Sequence, residues 1–273
     1  MLVGAMTERH YVHVGGEEGR DRLRVLARIF APATAALLDR IEIVAGMRCL
    51  DIGCGGGDVS VELARRVGAR GAVTAIDFDG EALEIARREA VQAGLDNLTY
   101  RHIDLFALVL DEPVDVVFTR FVLTHLRDSA AALRRMAGLL RPGGRIVVED
   151  ADASANFCYP PETAFDLYSR LYRETMWGRG TDPDIGPKLP QLLRNAGFGD
   201  IGLNVYQPAE FVGGDIKLLV ALTLDSVAQP ALETGLTNSD EINAASKRLH
   251  ELVKDENTVM SMPRIVQAWG RLL

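Results

Sequence analysis

Four glycines and three carboxylates are the residues of this chain best placed to hold a ligand. In "LDIGCGGGDVSVELARRV" (50–67) an apolar run carries Asp51, and Gly53, Gly55, Gly56 and Gly57 follow before an amphipathic stretch begins. A glycine turn between a strand and a helix lets backbone N–H groups approach a ligand with no Cβ in the way. A pyrophosphate-binding turn needs G-x-G-x-x-G/A. Gly53 and Gly55 satisfy its first two positions, but the third falls on Asp58, whose charge repels phosphate. Asp51, two residues ahead of the turn, suits a ligand that carries a cation. Asp77 lies 20 residues after Gly57, at the end of the next apolar run. An acidic side chain there can accept both hydroxyls of a ribose. Asp104 closes a third such run.

The D-x-G-x-G-x-G stretch from Asp51 to Gly57 resembles motif I of the class I S-adenosylmethionine-dependent methyltransferases. S-adenosylmethionine has no phosphate, a sulfonium charge and an α-ammonium, which meets both conditions. The resemblance extends over about 45–150 and takes in four motifs in order. It implies that Asp77 holds the ribose and that Phe78 packs on the adenine. Asp104, with Leu105 beside it in "HIDLF", would meet the adenine amino group. "LRPGGRIVVED" (140–150) matches the family's turn-and-strand motif. The same resemblance points to the small-molecule branch that methylates quinones and secondary metabolites. There "YVHVGGEEGRDRL" (11–23) corresponds to the lid entry, with Tyr11 closing over the cofactor and His13 and Arg22 as further candidates. The expected reaction is in-line transfer of the methyl group, leaving S-adenosylhomocysteine.

Two residues after the fourth strand add chemistry. Arg120 can pair with the cofactor's carboxylate or with a substrate anion. Histidine titrates near neutral pH and can take a proton from a substrate hydroxyl or amine, which makes His125 the candidate general base. An N-P-P-Y loop for planar amines is absent; Thr119-Arg120-Phe121 stands in its place. Arg120 also stands where a catechol-type site would put a carboxylate, so no metal is expected, with Asp150 and Asp152 as the residual candidates.

The elements that must position these residues alternate. Strands are predicted at 47–53, 71–79, 97–105, from 114, and at 145–150; helices at 58–67, 80–94 and 128–140. This predicts an α/β fold: a doubly wound, Rossmann-like, seven-stranded, mostly parallel sheet with a helical lid. Four segments are expected. They are an N-terminal helical lid (1–42, two helices within 16–41) and the cofactor-binding core (43–150). A helical substrate-lid insertion (151–199) and C-terminal strands and helices completing the sheet (200–273) follow. "MPRIVQAWGRL" (262–272) is expected as a last, antiparallel strand. The insertion holds Phe157, Tyr159, Phe165, Tyr168, Tyr172 and Trp177, so a mostly apolar or aromatic substrate is expected.

Composition sets outer bounds. The 273 residues carry a formal charge of −8, which argues against nucleic acid or an anionic membrane as partner. Cys49, Cys54 and Cys158 form neither a disulfide framework nor a zinc spacing, and Cys49 is expected to be buried. The absence of a long apolar run and of a signal-peptide core predicts a cytoplasmic protein. The expected partner is a small-molecule substrate, and a homodimer is left open. Two rival readings remain at this level. One is a nicotinamide-dependent oxidoreductase, disfavoured by Asp51 and Asp58. The other is a non-catalytic S-adenosylmethionine-binding subunit.

Overall fold

The computed structural model describes residues 16–273. Tyr11 and His13 lie outside them. The core reads α1 (Gly16–Arg40), β1 (Arg48–Ile52), α2 (Asp58–Val67), β2 (Ala72–Asp77), α3 (Gly80–Gln92), β3 (Leu98–His102), β4 (Val114–Arg120), α4 (Ser129–Ala137) and β5 (Leu140–Asp152). Then follow β6 (Cys158–Tyr159), α5 (Thr163–Gly178), α6 (Leu189–Asn195), β7 (Phe198–Tyr206), β8 (Ala209–Glu210), α7 (Asp215–Glu233), α8 (Ser239–Leu252), β9 (Val259–Ser261) and β10 (Arg264–Leu272).

Seven strands form one sheet in the order β3-β2-β1-β4-β5-β10-β7. The pairs from β3 through β5 are parallel. β10 is antiparallel to both of its neighbours, as its position at the end of the chain led one to expect. Helices cover both faces, so the strands are buried and read as nearly continuous apolar runs. Leu50, Val117, Ile146, Val147 and Val148 are fully buried, and Cys49 is buried with them. Side-chain caps set several helix starts. Asp79 accepts from the N–H groups of Glu81 and Ala82, and Asp128 from that of Ala131.

The order reverses direction between β1 and β4. From β1 the chain winds outward through β2 and β3; from β4 it winds the other way. Open α/β sheets leave a crevice at the strand C-termini of such a switch point. Over that crevice sits a cap built from α5, α7, α8 and the N-terminal half of α1. Its core contains Phe30, Tyr168, Leu219, Leu224 and Leu249. A small antiparallel sheet, β6-β9-β8, joins it.

The region 16–41 departs from the expected two helices. It forms the single helix α1, with Pro32 inside it. A proline removes one backbone donor from a helix. Here Phe30, Leu37 and Leu38, on both sides of Pro32, are buried at 1%, 2% and 0% exposure. Packing on both sides of the proline outweighs the lost bond. The fifth strand begins earlier than expected, at Leu140, because Leu140 pairs with Val114 ahead of an irregularity in register.

Candidate active site

At the C-terminal end of β1 the chain turns through the glycines, and three of them adopt positive φ: Gly53 at 70°, Gly55 at 50° and Gly57 at 80°. Space as well as backbone requires them. A Cβ on Gly53 would come 2.2 Å from Val122 Cγ2, and one on Gly57 2.4 Å from the Tyr100 hydroxyl. The turn is hung from β2. Gly53 and Cys54 donate to the Ile76 carbonyl, at 2.8 and 3.1 Å.

The carboxylates are arranged around this turn. Asp51 is buried beneath it, and the Ser60 hydroxyl donates to its Oδ2 at 2.6 Å. Burial pushes the Asp51 carboxyl up to about 7, with Asp58 and Asp77 adding to the effect and Ser60 and Arg120 opposing it. Asp77 ends β2; its Oδ2 accepts from Gly55 N–H at 2.8 Å and its Oδ1 from Asp79 N–H at 3.0 Å. Burial raises its pKa as well. Asp104 accepts from Phe106 N–H at 2.7 Å in the turn after β3, and Leu105 is buried next to it. Phe78, half-buried, follows Asp77, and His102 Nε2 lies 2.7 Å from its carbonyl oxygen.

These residues line one cleft of about 1770 Å³, and so do Arg120 and His125. A pocket for one ligand occupies roughly 300–1,000 Å³, so the cleft has room for two. Its nucleoside side runs over the glycine turn, Asp77, Phe78, Asp104 and Leu105. Its other side is walled by Phe30, Phe121, Tyr168, Tyr172, Leu219 and Met262. The two sides meet where Val122 faces Gly53. The open glycine cradle and the buried Asp51 carboxylate fit a cationic nucleoside such as S-adenosylmethionine.

Arg120 and His125 both line the cleft but in different surroundings. Arg120 Nη2 donates to Asp58 Oδ2 at 2.8 Å and Nη1 to Thr34 Oγ1 at 3.3 Å. Thr34 Oγ1 in turn donates to Glu149 Oε2 at 2.6 Å, and Gln267 Nε2 donates to Glu149 Oε1. The network ties α1 to β4, β5 and β10. Nothing in the sequence pattern signalled it, because its members come from five distant elements. His125 sits on a single helical turn, 123–125, after β4. Asp150 Oδ2 accepts from Thr124 N–H at 3.1 Å and fixes that turn. Burial pushes the imidazole down to about 3, and the guanidiniums of Arg22 and Arg179 push the same way.

The aromatic insertion divides. Tyr168 and Tyr172 line the cleft. Phe165 is buried in the cap, whereas Phe157, Tyr159 and Trp177 are exposed. Phe121 was not anticipated. It follows β4 with φ 55°, a strained value for a non-glycine residue, and meets Phe30 edge-on at 5.0 Å between ring centroids. Among the described residues no cluster of three His, Cys, Asp or Glu side chains could hold a metal, and no helix is long and apolar enough to cross a membrane.

Residues 43–183 match the family model of a methyltransferase domain. The chain is 33% identical over 177 residues to a ubiquinone biosynthesis O-methyltransferase of Xanthomonas euvesicatoria, covering 62% of this chain and 70% of that protein. It is 38% identical over 132 residues to an aklanonic acid methyltransferase of a Streptomyces species, covering 46% and 57%. Across such curated relatives the aligned stretch spans from 40% to 76% of their length. In three dimensions the YcgJ protein of Bacillus subtilis superposes with a TM-score of 0.58 at 15% identity, over 88% of this chain and 98% of that one.

Proposed function

The chain belongs to the methyltransferase domain family, as a class I S-adenosylmethionine-dependent enzyme acting on small molecules, and from that premise we propose its acceptor and the roles of its residues. The acceptor is a mostly apolar or aromatic molecule that offers an oxygen, nitrogen or carbon nucleophile. The observation that carries this reading is the aromatic chamber meeting the glycine cradle at Val122 and Gly53. When bound, the cofactor supplies a methyl group activated on a sulfonium. The protein's part is alignment and exclusion of water.

Asp77 accepts the ribose hydroxyls while its bond to Gly55 holds the turn in shape. Asp104 and Leu105 receive the adenine, with Phe78 against its face. Asp51 places negative charge under the cationic end of the ligand. Arg120 keeps Asp58 turned aside from it. Phe30 and Phe121 close the chamber against water. The test is incubation with methyl-labelled S-adenosylmethionine and a panel of hydroxylated and aminated aromatic acceptors. Label should pass to at least one acceptor with equal release of S-adenosylhomocysteine. Tight cofactor binding with no transfer to any acceptor would favour the non-catalytic subunit.

Asp51 makes cofactor affinity depend on pH. Its carboxyl titrates at about 7 in the free protein, above the ordinary range, because burial penalises the charge. A folded-state value above the unfolded one means that this group stabilises the free protein at low pH, and that the benefit is lost as pH rises through 7. A ligand ammonium favours the ionised form. S-adenosylhomocysteine binding should therefore release a proton, and affinity should climb by up to about tenfold per pH unit from pH 5 towards 7, then level off. Calorimetric titrations across pH would show it. Asp51→Asn should flatten the curve; a flat curve in the wild type would remove Asp51 from the ligand's neighbourhood.

His125 is assigned to the acceptor side. The buried imidazole is neutral across the physiological range, so one ring N–H can donate to an acceptor oxygen while the other nitrogen can accept. The burial and the two guanidiniums that keep it neutral also oppose the imidazolium, so it stores an acceptor's proton poorly. We assign it the placing of an acceptor that is already deprotonated or needs no base. His125→Gln should then lower kcat by less than roughly tenfold, with unchanged cofactor affinity. A loss of roughly 10²–10⁴-fold that shrinks at high pH would restore the general base.

A further inference from the structure

Three arginines project from one stretch of α1, and two have partners. Arg24 pairs with Glu89 at 3.3 Å and Arg28 with Asp215 at 2.6 Å, both at the surface. Arg22 is the buried one, at 9% exposure, and its Nε has no hydrogen-bond partner. Among the described residues no carboxylate forms an ion pair with it. A buried guanidinium left without an anion is costly, and arginine stays charged at any ordinary pH. The sequence suggested that Arg22 belongs to a lid over the cofactor; its surroundings say more.

Leu23, the next residue, covers the glycine turn: a Cβ on Gly55 would lie 3.5 Å from Leu23 Cδ2. Successive helix residues point roughly 100° apart, so Arg22 is turned from the nucleoside side. It lines the cleft together with His125 and Tyr168. Its charge acts on both: it adds to the burial that pushes the His125 imidazole down, and it opposes the larger effect of burial that raises the Tyr168 phenol. A second guanidinium among the described residues, that of Arg179, also bears on His125. Among the described residues the chamber is thus apolar and aromatic over most of its wall, with an unpaired positive charge at Arg22. Around that place stand a neutral imidazole and a phenol hydroxyl, both able to hydrogen-bond an oxyanion.

We infer that Arg22, with His125 and Tyr168 beside it, is an anion subsite of the acceptor chamber, and that the acceptor carries an anionic oxygen group such as a carboxylate or an ionised phenol. The inference rests on the methyltransferase reading and narrows its substrate class. Where that anionic oxygen is itself the nucleophile, no proton has to be removed, in keeping with a histidine that is a poor base. The same chemistry could come from the cofactor's own carboxylate, and the test separates the two sources.

Wild-type protein, Arg22→Gln and Arg22→Lys are first titrated with S-adenosylhomocysteine. Each complex is then titrated with matched probes: 2-naphthoate against 2-naphthamide, and cinnamate against cinnamamide. The acids should bind the wild-type complex roughly tenfold or more tightly than the amides. The preference should vanish in Arg22→Gln and persist in part in Arg22→Lys, with S-adenosylhomocysteine affinity unchanged throughout. The Tm of ligand-free Arg22→Gln should stay level or rise, because an unpaired buried charge is removed; a merely structural arginine would lower it. Equal binding of acid and amide, no binding of either acid, or a preference that survives Arg22→Gln would overturn the subsite. So would a loss of S-adenosylhomocysteine affinity in Arg22→Gln, which would assign the residue to the cofactor's carboxylate. Failure of the wild type to bind S-adenosylhomocysteine would instead strike at the methyltransferase reading.

Discussion

Asp77→Ala is expected to weaken S-adenosylhomocysteine binding by roughly 10- to 150-fold, about 1.5–3 kcal/mol, the range for a hydrogen bond to a charged group. Two losses combine. The ribose hydroxyls lose their acceptor, and Gly55 N–H loses the carboxylate that holds it at 2.8 Å. The fold should survive, because Gly53 and Cys54 keep their bonds to the Ile76 carbonyl. Calorimetry gives the affinity and a melting curve checks the fold. Unchanged affinity would mean that the ligand's ribose does not lie at the end of β2.

Glu149→Ala should have the largest effect on stability. Glu149 is fully buried, accepts from Thr34 and Gln267, and acts on Arg120 across the network. Removing one member of a buried charged set leaves the others uncompensated, which costs about 3–5 kcal/mol in comparable cases. Part of that is offset here, since Arg120 keeps Asp58. A loss of about 3 kcal/mol is expected in urea unfolding. The double variant Glu149→Leu with Arg120→Met should recover part of it, because the buried guanidinium leaves with the carboxylate and Asp58, which then loses Arg120, is one-third exposed and can be solvated. A loss below about 1 kcal/mol for Glu149→Ala would show that the network is not a structural tie.

The cofactor side of the site was readable because it is local. Asp51, the glycines, Asp77 and Asp104 each end a strand or form a turn, and short-range pattern places strand ends well. The parallel order followed from strands alternating with helices. The last strand was expected at 262–272 as antiparallel, and β10 lies antiparallel between β5 and β7. The acceptor side was harder, because it is assembled from afar. Phe30, Phe121, Tyr168, Leu219 and Met262 meet only after α1, α5 and α7 fold over the sheet. Helical spacing could not tell Phe165, which fills the cap, from Tyr168, which reaches the cleft. The unbroken α1 was hidden by Pro32, whose local cost is overridden by Phe30 and Leu37 packing on either side. Glu149 looked like an ordinary strand residue, and its partners lie 115 and 118 positions away.

The most direct measurement is a paired calorimetric titration of the purified protein with S-adenosylhomocysteine and with NADH. A nucleoside site with Asp51 beneath it and Asp58 at the third position of the turn should saturate with S-adenosylhomocysteine at one molecule per chain. It should also melt at a higher temperature in the ligand's presence. NADH, with its pyrophosphate facing Asp58, should give neither heat nor stabilisation. Saturable binding of NADH with none of S-adenosylhomocysteine would contradict the account.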